Sequence, residues 1–538
     1  MIKHSPDQLE ISDFMDPYLG GLNPNNRWII MAKEIPWSQL KRIYERNMSF
    51  DKGARPKPAR LVIGALIIKH KYKLSDRETI EQIKESPYLQ YFVGLHKFQH
   101  DQVFDSSLFP TIRKRLTIKD FNDLSHLLQS HDVSIDEQSE LRDEKGVESD
   151  TNSNKPEIEN SISVDATVAV QEIPYPTDLD LINKARIESE KIIDILWEFV
   201  KTDSKKPRSY RQKAQKEFLA LTRKKKKGAD FWRAANRKQL QYLHRNIGHI
   251  HRLLDQIKVG IPLNKRFLKL LYVIQEVYRQ QMEMIEEKKN TVGFRIVNLY
   301  QPHIRPIIRG KSGANVEFGA KISISIDQGY SYIDHHDFEA YYEGEEEIVK
   351  KHIEAHKLRH PHTKLNGIVG DKIYGNRNAR EVYDQNDITF VGSPLGAPPK
   401  DPEKIKEREE NKVIHQKLRS HVEGKFGQTK RGYGLNNIKA RRSDTTNSWI
   451  GAIFFIANLE RFMKGIFFDL FFNIYKYDLW ALVTSIIEAG IGQPNFKGNK
   501  ETFFKQTLIS VIRGSFPILV LGLRNEYFTV NCDRPRGA

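Results

Sequence analysis

The sequence predicts a mixed α/β fold: a sheet covered by helices, interrupted by a large helical insertion and preceded by an all-α N-terminal domain. Three observations lead there. Between residues 162 and 391, short apolar stretches with two-residue alternation recur among helical segments, the pattern of strands joined by hairpins and helical crossovers. From about 178 to 295 that alternation gives way to a long, basic, helical pattern. Ahead of both, residues 1–130 hold short apolar helices separated by caps and turns.

Within the N-terminal part, Arg60 to His70 reads as an apolar helix, and Ser75 to Glu78 has the form of a capping box opening the next one. Ser86-Pro87 ends that helix, and Tyr88 to Leu95 forms a short apolar element. Asp105-Ser106-Ser107 then caps a helix carrying Arg113, Lys114 and Arg115. Short helices with a basic last member suit a helix-turn-helix DNA-binding unit, or else a small bundle with a solvated basic face. Residues 131–160 are acidic, polar and almost free of aromatics, which predicts a flexible linker.

Ile162 to Val170 alternates as a strand and carries Asp165 within it. A carboxylate in a strand built for burial is costly unless a cation or hydrogen bonds satisfy it. Tyr175 to Asp178 turns into the insertion, which is strongly basic between Lys201 and Arg252 and interleaved with Tyr210, Phe218, Phe231, Trp232 and Tyr242. So few compensating acids favour phosphate contact, with Lys224, Lys225, Lys226 and Lys227 as candidates, although those four alone also suit a solvated loop. Strands resume near Pro302. Val316 to Asp327 and Tyr330 to Asp334 pair through a hairpin at Gly329. A helix over Ile348–Leu358, a strand over Gly367–Asp371, a helix over Ala379–Asp384, a strand over Thr389–Val391 and a charged helical region from Asp401 complete the pattern. Without its insertion this is a three-strand antiparallel meander joined to βα units.

Composition narrows the function. A net charge of +17 over 538 residues points to a polyanionic partner, a nucleic acid or an anionic membrane. A single cysteine, Cys532, excludes disulfides and Cys-ligated zinc and suits a reducing compartment. The first residues have no apolar core of a secretory signal. The stretch after about 465 is apolar but interrupted by Asp469, Lys476, Asp478 and Glu488, which reads as a core or interface helix rather than a membrane span.

The chemistry converges on carboxylates. Gln416, Arg419, Glu423, Gly427 and Lys430 share one stripe of a helix. Asp165 lies in the first strand and Asp371 ends the fourth, where α/β folds build sites. Hard oxygen donors without His or Cys suit Mg2+ or Mn2+. Two such ions about 3.5–4 Å apart can serve a phosphodiester displacement.

With these residues in place, the chain resembles the DDE transposases of bacterial insertion sequences, with their ribonuclease H-like catalytic core. The last motif is similar to that of one group, in which an Arg is separated from the Glu by three residues and a Lys follows after six: here Arg419, Glu423 and Lys430. The contexts of Asp165 (VDATVAVQEIPYPTDLDLIN), of 316–326 (VEFGAKISISI), of Asp371 (GDKIYGNRNARE) and of the N-terminal RLVIGALIIKHKYKLSDRETIEQI are similar too. The chain departs at Gln416, where the group usually has Tyr. The resemblance implies metal-dependent cleavage and strand transfer at element ends, with Asp165, Asp371 and Glu423 as catalytic ligands of two Mg2+ or Mn2+ ions and Arg419 and Lys430 holding DNA. It further implies double-stranded DNA partners (terminal inverted repeats and target DNA), a homodimer on that DNA, no membrane, and a cytoplasmic, nucleoid-associated protein. The rival readings are a nuclease of the same fold without joining activity and an inactive or domesticated DNA-binding derivative.

Overall fold

Among the described residues, seven N-terminal helices are built around one of their number that is apolar on nearly every face: α1 (Arg27–Glu34), α2 (Trp37–Arg46), α3 (Ala59–Tyr72), α4 (Asp76–Glu85), α5 (Pro87–Phe92), α6 (Leu108–Arg115) and α7 (Ile118–Asp143). The computed structural model describes residues 21–51, 53, 55–143, 160–201, 205–224, 228–257, 260–309, 316–393, 395, 396 and 419–466. In α3, Leu61 to His70 are all buried, so neighbours must cover the helix all round. The capping box expected at the start of α4 forms: Ser75 accepts from the Glu78 N–H, and Glu78 accepts from the Ser75 N–H. Asp105 orders the approach to α6 by accepting from the Ser107 N–H.

Two expectations need correction here. Helix α7 runs to Asp143, well into the stretch read as a linker from 131; residues 144–159 lie outside the described residues, as do Lys225–Lys227, Gln416 and the tail after 466. Arg113 does not face solvent. It is buried, donates two hydrogen bonds to Asp76 at 2.9 and 2.7 Å, and lies over the Trp449 ring. Lys69, also buried, joins Asp76 at 2.9 Å and covers the same ring. Two cations sharing one carboxylate and one indole form a buried structural cluster, with the Arg113 guanidinium turned to Asp76 and Trp449 rather than to the surface.

The sheet contains β1 (Ser161–Val170), β2 (Arg305–Ile308), β3 (Val316–Asp327), β4 (Tyr330–Asp337), β5 (Gly367–Val369) and β6 (Thr389–Val391). The long β3 pairs antiparallel with β1 along one side and with β2 and then β4 along the other; β1, β5 and β6 continue the sheet in parallel. The hairpin between β3 and β4 turns at Gln328 and Gly329, both at positive φ (48° and 80°), the twist that a tight hairpin requires. Alternation sends Ala320, Ile322, Ile324 and Ile326 to one face, packed with Val422 and with Trp449, Ile450, Ile453 and Phe454. Ile162, Val164 and Ile368 go to the other, against Val349, Ile353 and Val382.

Beyond β4 the edge is closed by side chains. The Asn122 amide, from α7, both donates to the Ile333 carbonyl and accepts from its N–H (2.9 and 3.2 Å). Asn458 does the same for Ser331 (2.8 and 2.9 Å). Between β1 and β2 the chain makes α8 (Asp178–Val200), α9 (Arg211–Thr222), α10 (Ala229–Gln256) and α11 (Lys265–Glu286), which enclose a core of their own around Ile193, Leu196, Leu243, Ile250 and Ile274. Helices α12 (Glu346–Arg359) and α13 (Arg377–Gln385) flank β5, and helical stretches α14 (419–427) and α15 (443–466) follow β6. Among the described residues no helix is long and apolar enough to cross a membrane.

The Asp76 cluster separates a structural from a DNA-facing role for Arg113. Arg113→Ala is expected to cost about 2–3 kcal/mol in denaturant unfolding, the scale of buried hydrogen bonds to a charged group. A variant of unchanged stability would refute that role.

Candidate active site

Strand pairing brings the two aspartates together. Strands β1 and β5 pair in parallel, Ser161 with Gly367 and Ser163 with Val369. Continued by two residues, that register sets Asp165 beside Asp371 on neighbouring backbones, about 4.8 Å apart in a sheet. Asp165 accepts from the Ala166 N–H at 2.7 Å. Burial pushes its carboxyl up to about 6, and the nearby Glu343 carboxylate adds to this, while Arg419 and Arg309 oppose it. Asp371 follows β5 and caps the tight turn Lys372–Gly375, accepting from the Lys372 N–H at 2.6 Å. Gly370 keeps the approach narrow: a Cβ there would lie 3.0 Å from Tyr374 and 3.2 Å from Val164.

The last motif reaches this pair through Arg419. Its guanidinium lies 3.1 Å from Glu423 Oε1 and 3.7 Å from Asp371 Oδ1, so one cation bridges two of the three predicted carboxylates and acts electrostatically on the third. Val422 is buried in the sheet-facing core and seats α14, leaving Glu423 largely exposed on the outer side. After α14 the helix widens over Gln428–Gly432, and Lys430 comes within 3.4 Å of Glu317 on β3, which Arg309 also approaches, at 3.6 Å.

A further carboxylate went unread in the sequence. Glu343, paired with Lys321 at 2.9 Å, raises both the Asp165 carboxyl and the Tyr374 hydroxyl. Its sequence context, an acidic run after β4, looks like any solvated turn. The basic candidates are dispersed. Lys114 and Arg115 are exposed on α6, where Arg115 also meets the Met48 sulfur at 3.2 Å. Lys224 lies over the Phe231 ring. On α10, Arg237, His244, Arg245 and Arg252 line a groove of about 730 Å³ against Tyr278 and Met282 of α11. Helical spacing makes that row continuous, a signal present in the sequence but hidden among the other cations.

Residues 18–115 match the family model described as a transposase domain (DUF772), and residues 368–460, which include Asp371, Arg419, Glu423 and Lys430, match the transposase DDE domain. The chain belongs to the DDE transposases of insertion sequences. A stretch of 165 residues is 30% identical to an uncharacterized protein, ORF8 in the nfe locus of Rhizobium meliloti, covering 30% of this chain and 71% of that protein. No solved structure matches. The observed sheet, with β3 antiparallel to β1 and β5 and β6 parallel to it, together with the N-terminal helices, agrees with the fold of this family. Membership carries DNA binding and divalent-metal use with it. The transposase's own residues fit such an ion: oxygen donors gather around Arg419, and the Asp165 carboxyl stays raised by burial although Arg419 and Arg309 act to lower it.

The sign of the Asp165 shift gives a test. A carboxyl raised to about 6 from an ordinary 3.8 makes ionisation costlier in the fold than in the unfolded chain, a penalty that builds as pH rises from about 4 to about 6 and is complete above that. In metal-free protein, Asp165→Asn is expected to be more stable than the parent by about 2–3 kcal/mol at pH 7, from the size of the shift. The advantage should shrink to nothing below about pH 4, where both carboxyl states are neutral. Unfolding curves at pH 4 and 7 measure it; equal differences at both would contradict the shift.

Proposed function

We propose that this transposase cuts DNA at the ends of an insertion sequence and joins the freed ends to a target, using Asp165, Asp371 and Glu423 to hold two Mg2+ or Mn2+ ions. The observation that carries the reading is the Arg419 bridge, which draws Glu423 of the last motif to Asp371 beside the β1–β5 pair. Divalent ions bound by such carboxylates supply activation of the attacking oxygen and stabilisation of the leaving one. The protein's part is placement. Asp165 stands on β1 and Asp371 just beyond the end of the neighbouring β5, while Glu423 is carried by a helix seated on Val422. Arg419 offsets the carboxylates and offers a planar fork for a phosphate next to the cleaved bond. Lys430, exchanging Glu317 for a phosphate, would hold the strand further along. Water would attack the phosphodiester at the element end, and the released 3′-hydroxyl would attack the target strand. The α10 groove, with Lys224, Lys114 and Arg115, would contact terminal repeats, and two copies would hold two ends.

Gln416, in place of the group's usual Tyr, favours one second reading, a derivative that binds DNA without cutting it. Purified protein incubated with terminal-repeat DNA, target DNA and Mg2+ or Mn2+ decides between them. Cleaved and joined products are expected, with at least about a thousandfold loss of both in Asp165→Ala, Asp371→Ala and Glu423→Ala, the scale on which removing a component of a cooperating catalytic set acts. Metal-dependent cleavage without joining would leave a nuclease; binding without cleavage would leave the derivative.

A further inference from the structure

On the other side of the sheet from Asp165 lies a second cluster of metal-binding character. Asp165 is paired with Ile324 of β3, and both leave the sheet on one face; Asp327, three residues further, leaves on the face covered by α12. Three residues of strand separate the two levels by about 10 Å. Asp327 Oδ2 is 2.7 Å from His360 Nε2. His356, one helical turn earlier on α12, presents its ring to His360 with centroids 5.0 Å apart. One donor atom from each of Asp327, His356 and His360 lies within 4.8 Å of the others.

Two features set this cluster apart from an ordinary ion pair. His356 is 2% exposed, and its Nδ1 is buried with no hydrogen-bond partner among the described residues, an arrangement that costs free energy unless something binds there. The nearest strong cation is already engaged: Arg359 donates to Asp334 at 2.8 Å and to Ser325 at 2.9 Å, and Asp334 also takes His352 at 2.7 Å. Its charge is felt electrostatically at Asp327 and His356, while its hydrogen bonds go to Asp334 and Ser325. From α7, the His126 ring packs edge-on against His360 at 5.2 Å, and its Nδ1 is likewise buried and unpartnered.

We propose that Asp327, His356 and His360 form a binding site for a divalent ion of the zinc class, separate from the carboxylate site of the transposase and located where the N-terminal helix α7, the β3–β4 hairpin and the end of α12 meet. Two imidazoles, one on the last turn of α12 and one at its C-cap, and one carboxylate are borderline donors that select zinc, cobalt or nickel over magnesium, in contrast to the all-oxygen set around Asp165. Small adjustments of side-chain torsions would bring all three donors to the roughly 2.0–2.2 Å that zinc requires. A bound ion would fasten α12 to the hairpin and fill the polar gap at His356.

The test uses the full chain carrying Asp165→Asn, Asp371→Asn and Glu423→Gln, so that the other site cannot take up the ion, with Co2+ as the spectroscopic probe in excess Mg2+. One equivalent of Co2+ is expected to bind with the intense visible bands of low-coordinate cobalt, and Zn2+ should displace it. Adding His356→Gln or His360→Gln should weaken binding at least about tenfold. Circular dichroism establishes that each variant is folded. Should the histidine variants unfold, Zn2+ titration of the parent in excess Mg2+ decides by its melting temperature, which rises if the site binds. Absence of the cobalt bands in folded protein, the same bands in folded histidine variants, or a Zn2+-independent melting temperature would each overturn the proposal.

Discussion

Three residues of parallel pairing between β1 and β5 govern the catalytic geometry. That short ladder decides which residue of β1 stands beside the carboxylate that ends β5, and a slip of one position would turn Asp165 to the opposite face. The surrounding structure protects the register. On the Asp165 face, the isoleucine row of β3 packs against α15; on the other, Ile162, Val164 and Ile368 interlock with α12 and α13. Both faces being packed, a slip of one position would exchange the side chains fitted to each and break both sets of contacts. A costly buried carboxylate is thus held in place by the hydrophobic packing around it.

The insertion illustrates a different division of labour. Four helices leave the sheet immediately after β1 and return at β2, yet they contain their own apolar core and do not depend on the sheet for burial. Such a module can carry a large positive surface without disturbing the register at its root. The row on α10 uses this freedom: Arg237, Arg245 and Arg252 repeat at about two helical turns, along a face whose other side supplies Leu243 and Ile250 to the core.

Much of this was legible in the chain because it rests on local rules. Alternation located β3 and β4, the turn at Gly329 joined them, and Ser75 with Glu78 announced α4. Asp165 stood out because a charge inside a strand demands an explanation. The unreadable parts depend on distant partners. Arg113 follows the pattern of an exposed basic helix, and only the arrival of Asp76 and Trp449 makes it structural. The start of the supposed linker is helical because Asn122 and Gln129, on the same helix, find Ile333 and Tyr332 some two hundred residues away. Glu343 gains meaning only when folding brings it near Asp165.

The two asparagines bound to the edge of β4 have a consequence for how copies of the protein can meet. An edge strand ordinarily offers its outward N–H and C=O groups to any chain able to lie alongside it. Here Asn122 and Asn458 already occupy those of Ile333 and Ser331, one from the N-terminal helices and one from the last described helix. Sheet extension is therefore closed at β4, and two molecules cannot merge their sheets through this strand. The amides that complete the fold also keep it from recruiting a neighbour's backbone there.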